Sequence, residues 1–213
     1  MSRAGLGGYP VNLLVADRRC LVVGAGRVAA RKIEALLDAG AEVHVVAPEV
    51  CDDVRRWSEA HRLTLAERRF ESGDLDGAWL ATAATDDPQV NRAVWEAAET
   101  RRVWVNATDD PANCSFTLMS VVRQGDLVVT IGTGGRSPAL ATWLREHVRN
   151  EMGPEWQVLL DVLSEVREAM RSVGRSTEDA DWRGAIDSGM LDLIREGRVD
   201  EAKELLHRCL SSS

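Results

Sequence analysis

Two acidic pairs are the side chains in this sequence most able to move a proton. Asp109 and Asp110 end the segment RVWVNATDD and directly precede Pro111. A turn accounts for both side chains, and a carboxylate beside a reacting substrate is also a candidate general base. The second pair, Asp86-Asp87, stands before a helix-like stretch, where acidic residues stabilise the helix dipole. We therefore favour a structural role for the second pair and keep both roles open for the first.

The segment TGGRSPAL indicates a second kind of chemistry, the binding of anions. Gly134 and Gly135 precede Ser137, which is suited to cap a helix, and Arg136 adds a guanidinium group. Backbone N–H groups at a helix start and a nearby guanidinium both attract carboxylates and phosphates. A flexible turn that leads into a helix explains the same residues, so both interpretations stay open.

A glycine-rich motif in the segment CLVVGAGRVAARK follows the apolar residues 20–23. Its spacing is G-x-G-x-x-A, formed by Gly24, Gly26 and Ala29. Gly24 allows a tight turn, Gly26 lets the backbone approach a pyrophosphate, and Ala29 lets strand and helix pack closely. A tight turn without any ligand has the same spacing, but the strand before it and the helix after it favour a dinucleotide site.

The end of the second predicted strand does not decide which dinucleotide is bound. An Asp or Glu at this point usually holds the ribose hydroxyls, and a nearby Arg accommodates a 2′-phosphate. The sequence instead has Ala47, Pro48 and Glu49, with no adjacent Arg. The carboxylate is therefore either absent or displaced to Glu49.

Charge and composition exclude several classes of protein. The 213 residues have a formal net charge of −8, which argues against nucleic acid as the main partner. No apolar run approaches the ~18 residues that span a bilayer, and the segment MSRAGLGGYP has no signal-peptide core. We therefore expect a cytoplasmic protein that is not bound to membranes. The four cysteines and four histidines show no metal-ligand spacing, so we expect no metal site.

Alternating strand and helix patterns predict the elements that position these residues. Up to residue 110, short apolar runs alternate with stretches of helical periodicity. This alternation is typical of a parallel sheet with helices on both faces. The predicted strands cover residues 20–23, 41–48, 63–70, 78–85 and 102–110, and the predicted helices cover 28–39, 50–61 and 86–98.

A different pattern follows Pro111. Residues 116–133 predict a strand hairpin around Gln124-Gly125-Asp126. Within residues 134–148, Ser137 is then the predicted N-cap and Pro138 the first helical position of an amphipathic helix. The chain thus divides into an α/β domain with a Rossmann-type doubly wound parallel sheet, a small segment of hairpin plus helix, and a C-terminal helical domain. The predicted bounds are 1–112, 113–150 and 151–213.

Taken together, these motifs resemble the precorrin-2 dehydrogenase family, the dehydrogenase and ferrochelatase part of sirohaem synthases. The resemblance covers roughly residues 9–150, whereas the C-terminal residues match only loosely. It rests on CLVVGAGRVAARK, on AATDD at residues 83–87, on VNATDDPANCSF and on TIGTGGRSPALATWLRE, in that order.

The resemblance implies NAD-dependent oxidation of precorrin-2 to sirohydrochlorin in sirohaem biosynthesis, followed in some relatives by insertion of Fe²⁺. It also implies a homodimer, with segment 113–150 as a dimerisation segment. The family's essential aspartate, in its Asn-x-x-Asp-x-Pro context, corresponds to Asp109. The expected contacts with NAD are Gly24, Gly26, Arg27, Val28, Pro48, Glu49 and Thr85, and those with the tetrapyrrole are Asn106, Thr133, Gly134, Gly135, Arg136 and Ser137.

The chain departs from fused sirohaem synthases in two respects. It contains no segment that resembles their methyltransferase domain, so we expect a separate enzyme to supply precorrin-2. It also shows no cluster of metal ligands, so chelation stays open, although Asp109 is suited to deprotonate pyrrole nitrogens as well.

Two other functions use the same glycine-rich turn. A non-catalytic NAD(H)-sensing module needs the turn but needs neither Asp109 nor the TGGRSP segment. Such a module usually carries a basic DNA-binding segment, which this sequence lacks. A dehydrogenase of another small substrate does not need a cleft wide enough for a tetrapyrrole. The four motifs together favour the precorrin-2 interpretation over both.

Overall fold

The computed structural model describes residues 8–178 and 180–211. Contacts between Cα atoms divide the chain into two compact units, with the division between Leu118 and Met119. The three domains predicted from the sequence stay a prediction. Residues 1–7, 179 and 212–213 lie outside the described residues, and they include most of the MSRAGLGGYP segment.

The first unit alternates strands and helices along the chain. Its strands are β1 (Arg19–Ala25), β2 (Glu42–Val50), β3 (Thr64–Ala66), β4 (Leu80–Ala83) and β5 (Trp104–Ala107). Its helices are α1 (Arg27–Asp38), α2 (Asp52–Glu59) and α3 (Pro88–Arg101), with short 3-10 turns at Ser72–Leu75 and Pro111–Asn113.

The five strands form one parallel sheet in the order β3-β2-β1-β4-β5. β1 pairs with β2 on one side and with β4 on the other, so the strand order reverses between β1 and β4. Ligands of doubly wound sheets bind in the crevice at this reversal, beyond the carboxyl ends of the strands. The arrangement confirms the predicted Rossmann-type doubly wound sheet.

The centre of the sheet is apolar on both faces because helices cover a parallel sheet on both sides. Cys20 packs with Ile33 of α1, whereas Leu21 packs with Val94 of α3 on the opposite face. Burial raises the pKa of the Cys20 thiol to about 11, so this residue packs as an uncharged, nearly apolar group.

The predicted end of β2 is wrong. The register between β1 and β2 shifts after Val23, which pairs with Val46, because β2 contains two extra residues before Val50 pairs with Ala25. β2 therefore continues through Pro48 and Glu49. Helix α2 therefore begins at Asp52 rather than at Val50. The sequence pattern missed this extension because a proline normally argues against a continuing strand.

Several other predicted boundaries are also displaced. The strands β3, β4 and β5 are shorter than predicted, since residues 67–70, 84–85 and 108–110 leave the sheet. Helix α3 continues beyond residue 98 to Arg101, and its C-cap Arg102 adopts a left-handed backbone with φ of 58°. The three strand predictions thus extended past the point where the backbone leaves the sheet, and the helix prediction stopped short of the end of the helix.

The second unit begins with the predicted hairpin. β6 (Ser120–Gln124) pairs antiparallel with β7 (Leu127–Ile131) through a two-residue turn at Gly125 and Asp126. Gly125 takes a positive φ of 58°, which glycine adopts without strain.

Helix α4 (Pro138–Glu151) follows the hairpin and starts at Pro138, where the sequence predicts it. The Ser137 hydroxyl accepts a hydrogen bond from the Leu140 N–H at 3.2 Å. Ser137 is thus the predicted N-cap, and Pro138 occupies the first helical position.

The remaining helices of the second unit build a separate apolar core. They are α5 (Glu155–Ser172), α6 (Trp182–Ala185), α7 (Leu191–Arg195) and α8 (Val199–Ser211), with a π-helical turn at Ile186–Met190 between α6 and α7. The fully or almost fully buried side chains of this core include Leu159, Val162, Met190, Ala202 and Leu206. No helix among the described residues is long and apolar enough to cross a membrane.

His44 on β2 makes the stability of the first unit depend on pH. Burial, together with the Arg19 guanidinium 2.9 Å away, lowers the pKa of His44, whereas Glu42 acts in the opposite direction. The unfolded chain therefore takes up a proton near the ordinary pKa of about 6.5, before the folded chain does. The stability contributed by neutral His44 is complete above that pH and is lost as the pH falls toward the lower folded pKa.

We expect the melting temperature of His44→Gln to fall less steeply than that of the wild type between pH 7 and pH 5. Differential scanning calorimetry across this range measures the slope. His61→Asn is the matched control, since His61 is exposed and its left-handed backbone suits asparagine. Equal slopes for His44→Gln and wild type would contradict the assignment.

Candidate functional site

The glycine-rich turn begins with a residue that admits no side chain. Gly24 is buried and has a φ of 106°, a conformation that side chains rarely adopt. A Cβ at this position would collide with the carbonyl oxygen of Ala84 and lie 2.8 Å from its carbonyl carbon. Gly24 thus lets the chain after β4 pass directly beside the end of β1.

Helix α1 starts with unused hydrogen-bonding capacity. Its N-cap is Gly26, no side chain caps its first turn, and that turn contains no acidic residue. Nothing lies within 4 Å of a Cβ built on Gly26. An uncapped N-terminus with open space before it suits a pyrophosphate. These residues therefore fit a dinucleotide, and the exposed Arg27 and Val28 stand on the rim of the same turn.

The end of β2 lies next to this turn. Ala25 pairs with Val50, and the Cys51 N–H donates to the Ala25 carbonyl oxygen at 3.0 Å. Pro48 and Glu49 are both exposed in this last part of the strand. Two further carboxylates, Asp52 and Asp53, open the following helix.

Thr85 lies in a turn that is closed by hydrogen bonds. Asn91 on α3 accepts from the Thr85 hydroxyl at 2.9 Å and donates to the Thr85 carbonyl oxygen at 3.0 Å. Asp87 is the N-cap of α3 and accepts from the Gln89 N–H at 2.8 Å. This contact is the structural role favoured for the Asp86-Asp87 pair. Asn91 was not predicted, because an asparagine inside a helix gives no signal of the loop it holds.

The ends of three neighbouring strands are joined by backbone hydrogen bonds. The Ala84 N–H donates to the Val23 carbonyl oxygen, and the Thr108 N–H donates to the Ala83 carbonyl oxygen, both at 2.8 Å. The loops after β1, β4 and β5 therefore share one edge of the sheet. Asp109 lies on the last of these loops.

Asp109 sits in a tight turn with a left-handed backbone. Its φ is 58° and its side chain is exposed, whereas Asp110 is partly buried and accepts from the Asn113 amide at 2.6 Å. Left-handed conformations of residues other than glycine concentrate at functional sites. The Thr108 hydroxyl beside it is buried without a hydrogen-bond partner among the described residues. The turn role thus falls to Asp110, and Asp109 presents its carboxylate to solvent.

Asn106 and Lys32 form a contact that the sequence did not predict. The Lys32 ammonium on α1 donates to the Asn106 Oδ1 at 3.3 Å, and the Asn106 amide donates to the Phe116 carbonyl oxygen at 3.1 Å. Asn106 is only 8% exposed, and its predicted contact with substrate stays a prediction. The only feature of the sequence that distinguishes Lys32 from the other cations is its residue type, since only two of the 26 basic residues are lysines.

The TGGRSP segment belongs to the second unit and forms a closed turn. The Ser137 N–H donates to the Thr133 hydroxyl at 3.3 Å, and the Arg136 N–H donates to the Thr133 carbonyl oxygen at 3.1 Å. Gly134 and Gly135 are exposed, with positive φ values of 60° and 74°. Arg136 is also exposed, so the segment presents a guanidinium group to solvent.

The predicted site residues therefore fall into two groups. The first unit brings together the glycine-rich turn, the end of β2, Thr85, Asn106 and Asp109 along one sheet edge. The second unit holds residues 133–137 at the start of α4. Within the part of the chain that the structure describes, no three His, Cys, Asp or Glu side chains are grouped to hold a metal ion.

Comparisons with known proteins also indicate a dinucleotide-binding domain in this chain. The sequence model of a family described as "Putative NAD(P)-binding" matches residues 11–120, slightly more than half of the chain. The siroheme synthase of Escherichia coli O1:K1 is 44% identical over 141 residues, and that of Citrobacter koseri is 45% identical over the same length. Each match covers 66% of this chain and 31% of the relative, so the chain spans less than a third of these proteins.

The solved structure titled "SirC, precorrin-2 dehydrogenase" has the same fold. It superposes with a TM-score of 0.75 and 23% sequence identity over 94% of this chain and 100% of that chain. These matches confirm the resemblance inferred from the four sequence motifs. The chain therefore belongs to this NAD(P)-binding family, with a Rossmann fold like that of SirC and a sequence similar to part of the siroheme synthases.

Proposed function

We propose that this protein oxidises precorrin-2 to sirohydrochlorin with NAD⁺ as hydride acceptor, as a step of sirohaem biosynthesis. The observation that carries the proposal is the position of Asp109, exposed on the same sheet edge as the uncapped glycine-rich turn. The similarity to siroheme synthases and the fold shared with a precorrin-2 dehydrogenase support it.

The reaction removes two hydrogens from the macrocycle. Bound NAD⁺ supplies the hydride acceptor, so the products are sirohydrochlorin, NADH and one proton. The Asp109 carboxylate accepts that proton as general base and returns it to solvent, which its exposed position allows. The N–H groups at the start of α1 hold the pyrophosphate, and Gly26 leaves the space that this approach requires.

The charges at the end of β2 favour NAD⁺ over NADP⁺. Glu49 and Asp52 are both exposed next to the glycine-rich turn, where they repel a 2′-phosphate. The nearest cations on α2 are already paired, Arg55 with Glu67 at 3.0 Å and Arg56 with Asp53. Glu49 remains available to accept hydrogen bonds from ribose hydroxyls.

The substrate carries eight carboxylates and needs donors on a protein that is acidic overall. Residues 133–137 provide backbone N–H groups at the start of α4 together with the exposed Arg136 guanidinium. We assign this segment to binding substrate carboxylates, with Thr133 and Ser137 shaping the turn through their mutual hydrogen bonds.

An anaerobic assay tests the proposed function directly. Purified protein is mixed with NAD⁺ and enzymatically made precorrin-2, and absorption follows sirohydrochlorin and NADH together. The proposal requires the two products in equal amounts, and a subsequent addition of Fe²⁺ reports whether the protein also accelerates insertion. NAD⁺ binding without NADH formation would favour an NAD(H)-sensing module, and turnover of a different substrate would favour another dehydrogenase.

We also assign a homodimer, based on the exposed face of α4. No residue of this 14-residue helix is buried, although Leu140 and Trp143 are apolar and remain 49% and 58% exposed. Helices of stable proteins bury one apolar face, and exposed apolar patches of this kind mark association surfaces. A second copy of the chain, pairing across segment 113–150, is the partner that the family resemblance implies.

The variant Trp143→Asp is expected to shift the protein from dimer to monomer. A buried, unpaired carboxylate in each half of a symmetric interface opposes association by several kcal/mol. Sedimentation velocity at micromolar concentration measures the mass. Trp79→Asp is the matched control, because Trp79 in the first unit is also 58% exposed. A monomeric wild type, or a dimeric Trp143→Asp, would contradict the assignment.

We also propose a cytoplasmic location for the protein. We propose in addition three domains, with the bounds 1–112, 113–150 and 151–213. The buried thiols of Cys20 and Cys114 suit a reducing compartment. Cell fractionation checks the location, and limited proteolysis checks the bounds through cleavage near residues 113 and 150.

A further inference from the structure

Asn91 is a buried polar side chain inside a helix. It lies in the first turns of α3, four residues after the N-cap Asp87, and only 6% of it is exposed. Asparagine is a weak helix former, and a buried amide costs free energy unless its donors and acceptors are used. An asparagine at this position therefore needs hydrogen bonds that offset both costs.

Three hydrogen bonds join the Asn91 side chain to Thr85. The Asn91 Oδ1 accepts from the Thr85 N–H at 3.2 Å and from the Thr85 hydroxyl at 2.9 Å, and the Asn91 Nδ2 donates to the Thr85 carbonyl oxygen at 3.0 Å. Reversing the amide would set its NH₂ group against the Thr85 N–H and its oxygen against the Thr85 carbonyl, so only one orientation fits. A single side chain thus binds the backbone donor, the backbone acceptor and the hydroxyl group of Thr85.

These contacts replace those that the sheet no longer provides. Strand β4 ends at Ala83, so the N–H and carbonyl groups of Thr85 lie beyond the hydrogen-bonded ladder of the sheet. The Asp87 side chain caps α3 through the Gln89 N–H instead of binding Thr85. The Asn91 amide is therefore what holds the backbone of Thr85 to helix α3.

Thr85 forms part of the wall beside the glycine-rich turn. Its Cγ2 lies 3.2 Å from the position of a Cβ built on Gly24, and the carbonyl group of Ala84 lies closer still. The Ala84 N–H donates to the Val23 carbonyl oxygen at 2.8 Å, which joins the start of the same loop to β1. The strand order reverses between β1 and β4, where doubly wound sheets bind their ligands. The loop that Asn91 holds therefore borders the space that suits the pyrophosphate.

We propose that Asn91 is a positioning residue for the cofactor: its amide holds Thr85 and the loop after β4 against the glycine-rich turn, in the arrangement that binds NAD⁺. Asn91 is buried and does not touch the cofactor in this role, so its effect passes through Thr85. The inference adds a residue to the cofactor site of the proposed function. It rests on that function only for the reaction, because NAD⁺ binding is measured without precorrin-2.

Calorimetric titration with NAD⁺ tests this role. Leucine has the branched shape of asparagine without its polar atoms, so Asn91→Leu removes all three hydrogen bonds. If the released loop keeps the binding arrangement for about a tenth of the time, the Kd for NAD⁺ rises about tenfold. Asn91→Ala removes the same hydrogen bonds without adding apolar volume, and it replaces Asn91→Leu in the test if the leucine variant does not fold.

Val94→Ala is the matched control for stability. Val94 is fully buried on the same helix, so its truncation lowers the melting temperature while the Asn91 amide still holds Thr85. Its Kd for NAD⁺ should stay within about twofold of the wild-type value, since the binding arrangement remains populated.

Two further measurements separate positioning from a general loss of stability. Hydrogen exchange of the Thr85 amide, followed by NMR, should be faster in Asn91→Leu than in wild type or Val94→Ala, and NAD⁺ should slow it again. In precorrin-2 oxidation by Asn91→Leu, KM for NAD⁺ should rise about as much as Kd, whereas kcat at saturating NAD⁺ should change less than about threefold.

Three results would overturn the proposal. One is an unchanged Kd for NAD⁺ in the Asn91 variants, and another is an equal rise in Val94→Ala, which would leave Asn91 a role in helix stability alone. The third is a wild type that does not bind NAD⁺. If the wild type binds NAD⁺ but does not oxidise precorrin-2, the proposed function fails, while the Kd values and the exchange of the Thr85 amide still decide the role of Asn91.

Discussion

Gly26→Asp is expected to weaken NAD⁺ binding at least ~100-fold while leaving the fold intact. The new carboxylate would occupy the open space before α1 and accept hydrogen bonds from its first N–H groups, which would otherwise bind the pyrophosphate. Like charges in such contact cost several kcal/mol. Aspartate is a favourable N-cap, and the φ of Gly26 is −79°, so the variant is expected to melt no lower than the wild type. Calorimetric titration with NAD⁺ and thermal melting measure the two effects.

Gly24→Ala provides the contrast for that prediction. The positive φ of Gly24 and the nearby Ala84 carbonyl leave no room for a methyl group, so this variant should lose thermal stability. The two glycines of one motif are thus expected to differ: Gly24 is needed for the path of the backbone, and Gly26 for access of the ligand. Equal NAD⁺ affinity for Gly26→Asp and wild type would remove the turn from the binding site.

Asp109→Asn is expected to lower kcat for precorrin-2 oxidation by about 10²- to 10⁴-fold, the contribution of a general base. Asparagine is the informative replacement because it tolerates the left-handed backbone of Asp109, with φ of 58°, better than alanine does. Folding and the Kd for NAD⁺ should therefore stay close to those of the wild type. Stopped-flow formation of NADH under anaerobic conditions measures kcat.

Asp110→Asn is the matched control for that substitution. Asp110 is bonded to the Asn113 amide within the loop, so its replacement is expected to affect stability more than turnover. If Asp109→Asn turned over precorrin-2 at the wild-type rate, the carboxylate would have no part in proton transfer, and a different group on the sheet edge would have to accept the proton.

The sheet was predictable because local and long-range preferences agree there. The apolar run at residues 20–23, the glycine-rich turn and the alternation of strands with helices all indicate one topology. The capped start of α4 was likewise readable from Ser137-Pro138. The end of β2 was not, since its extension through Pro48 depends on an irregular pairing with the neighbouring strand β1. A pattern within one segment carries no information on such pairing.

The candidate site can be predicted from the sequence only where a motif's own spacing places the residue. Gly24 and Asp109 stand in motifs whose spacing sets the backbone around them. Lys32 is different, because it gains its setting from Asn106, which lies 74 residues later in the chain. Its place in a helix pattern indicates an exposed cation, and only the packing of α1 against the sheet brings it to β5.

The apolar face of α4 has a consequence for how the protein behaves on dilution. If a second copy covers Leu140 and Trp143, the free energy of that burial enters the folding of each protomer, and mass action links stability to protein concentration. Residues 133–137 lead into this same helix. Substrate binding would then favour dimer formation, and dimer formation would strengthen substrate binding. The specific activity would therefore rise with enzyme concentration until all of the protein is dimeric.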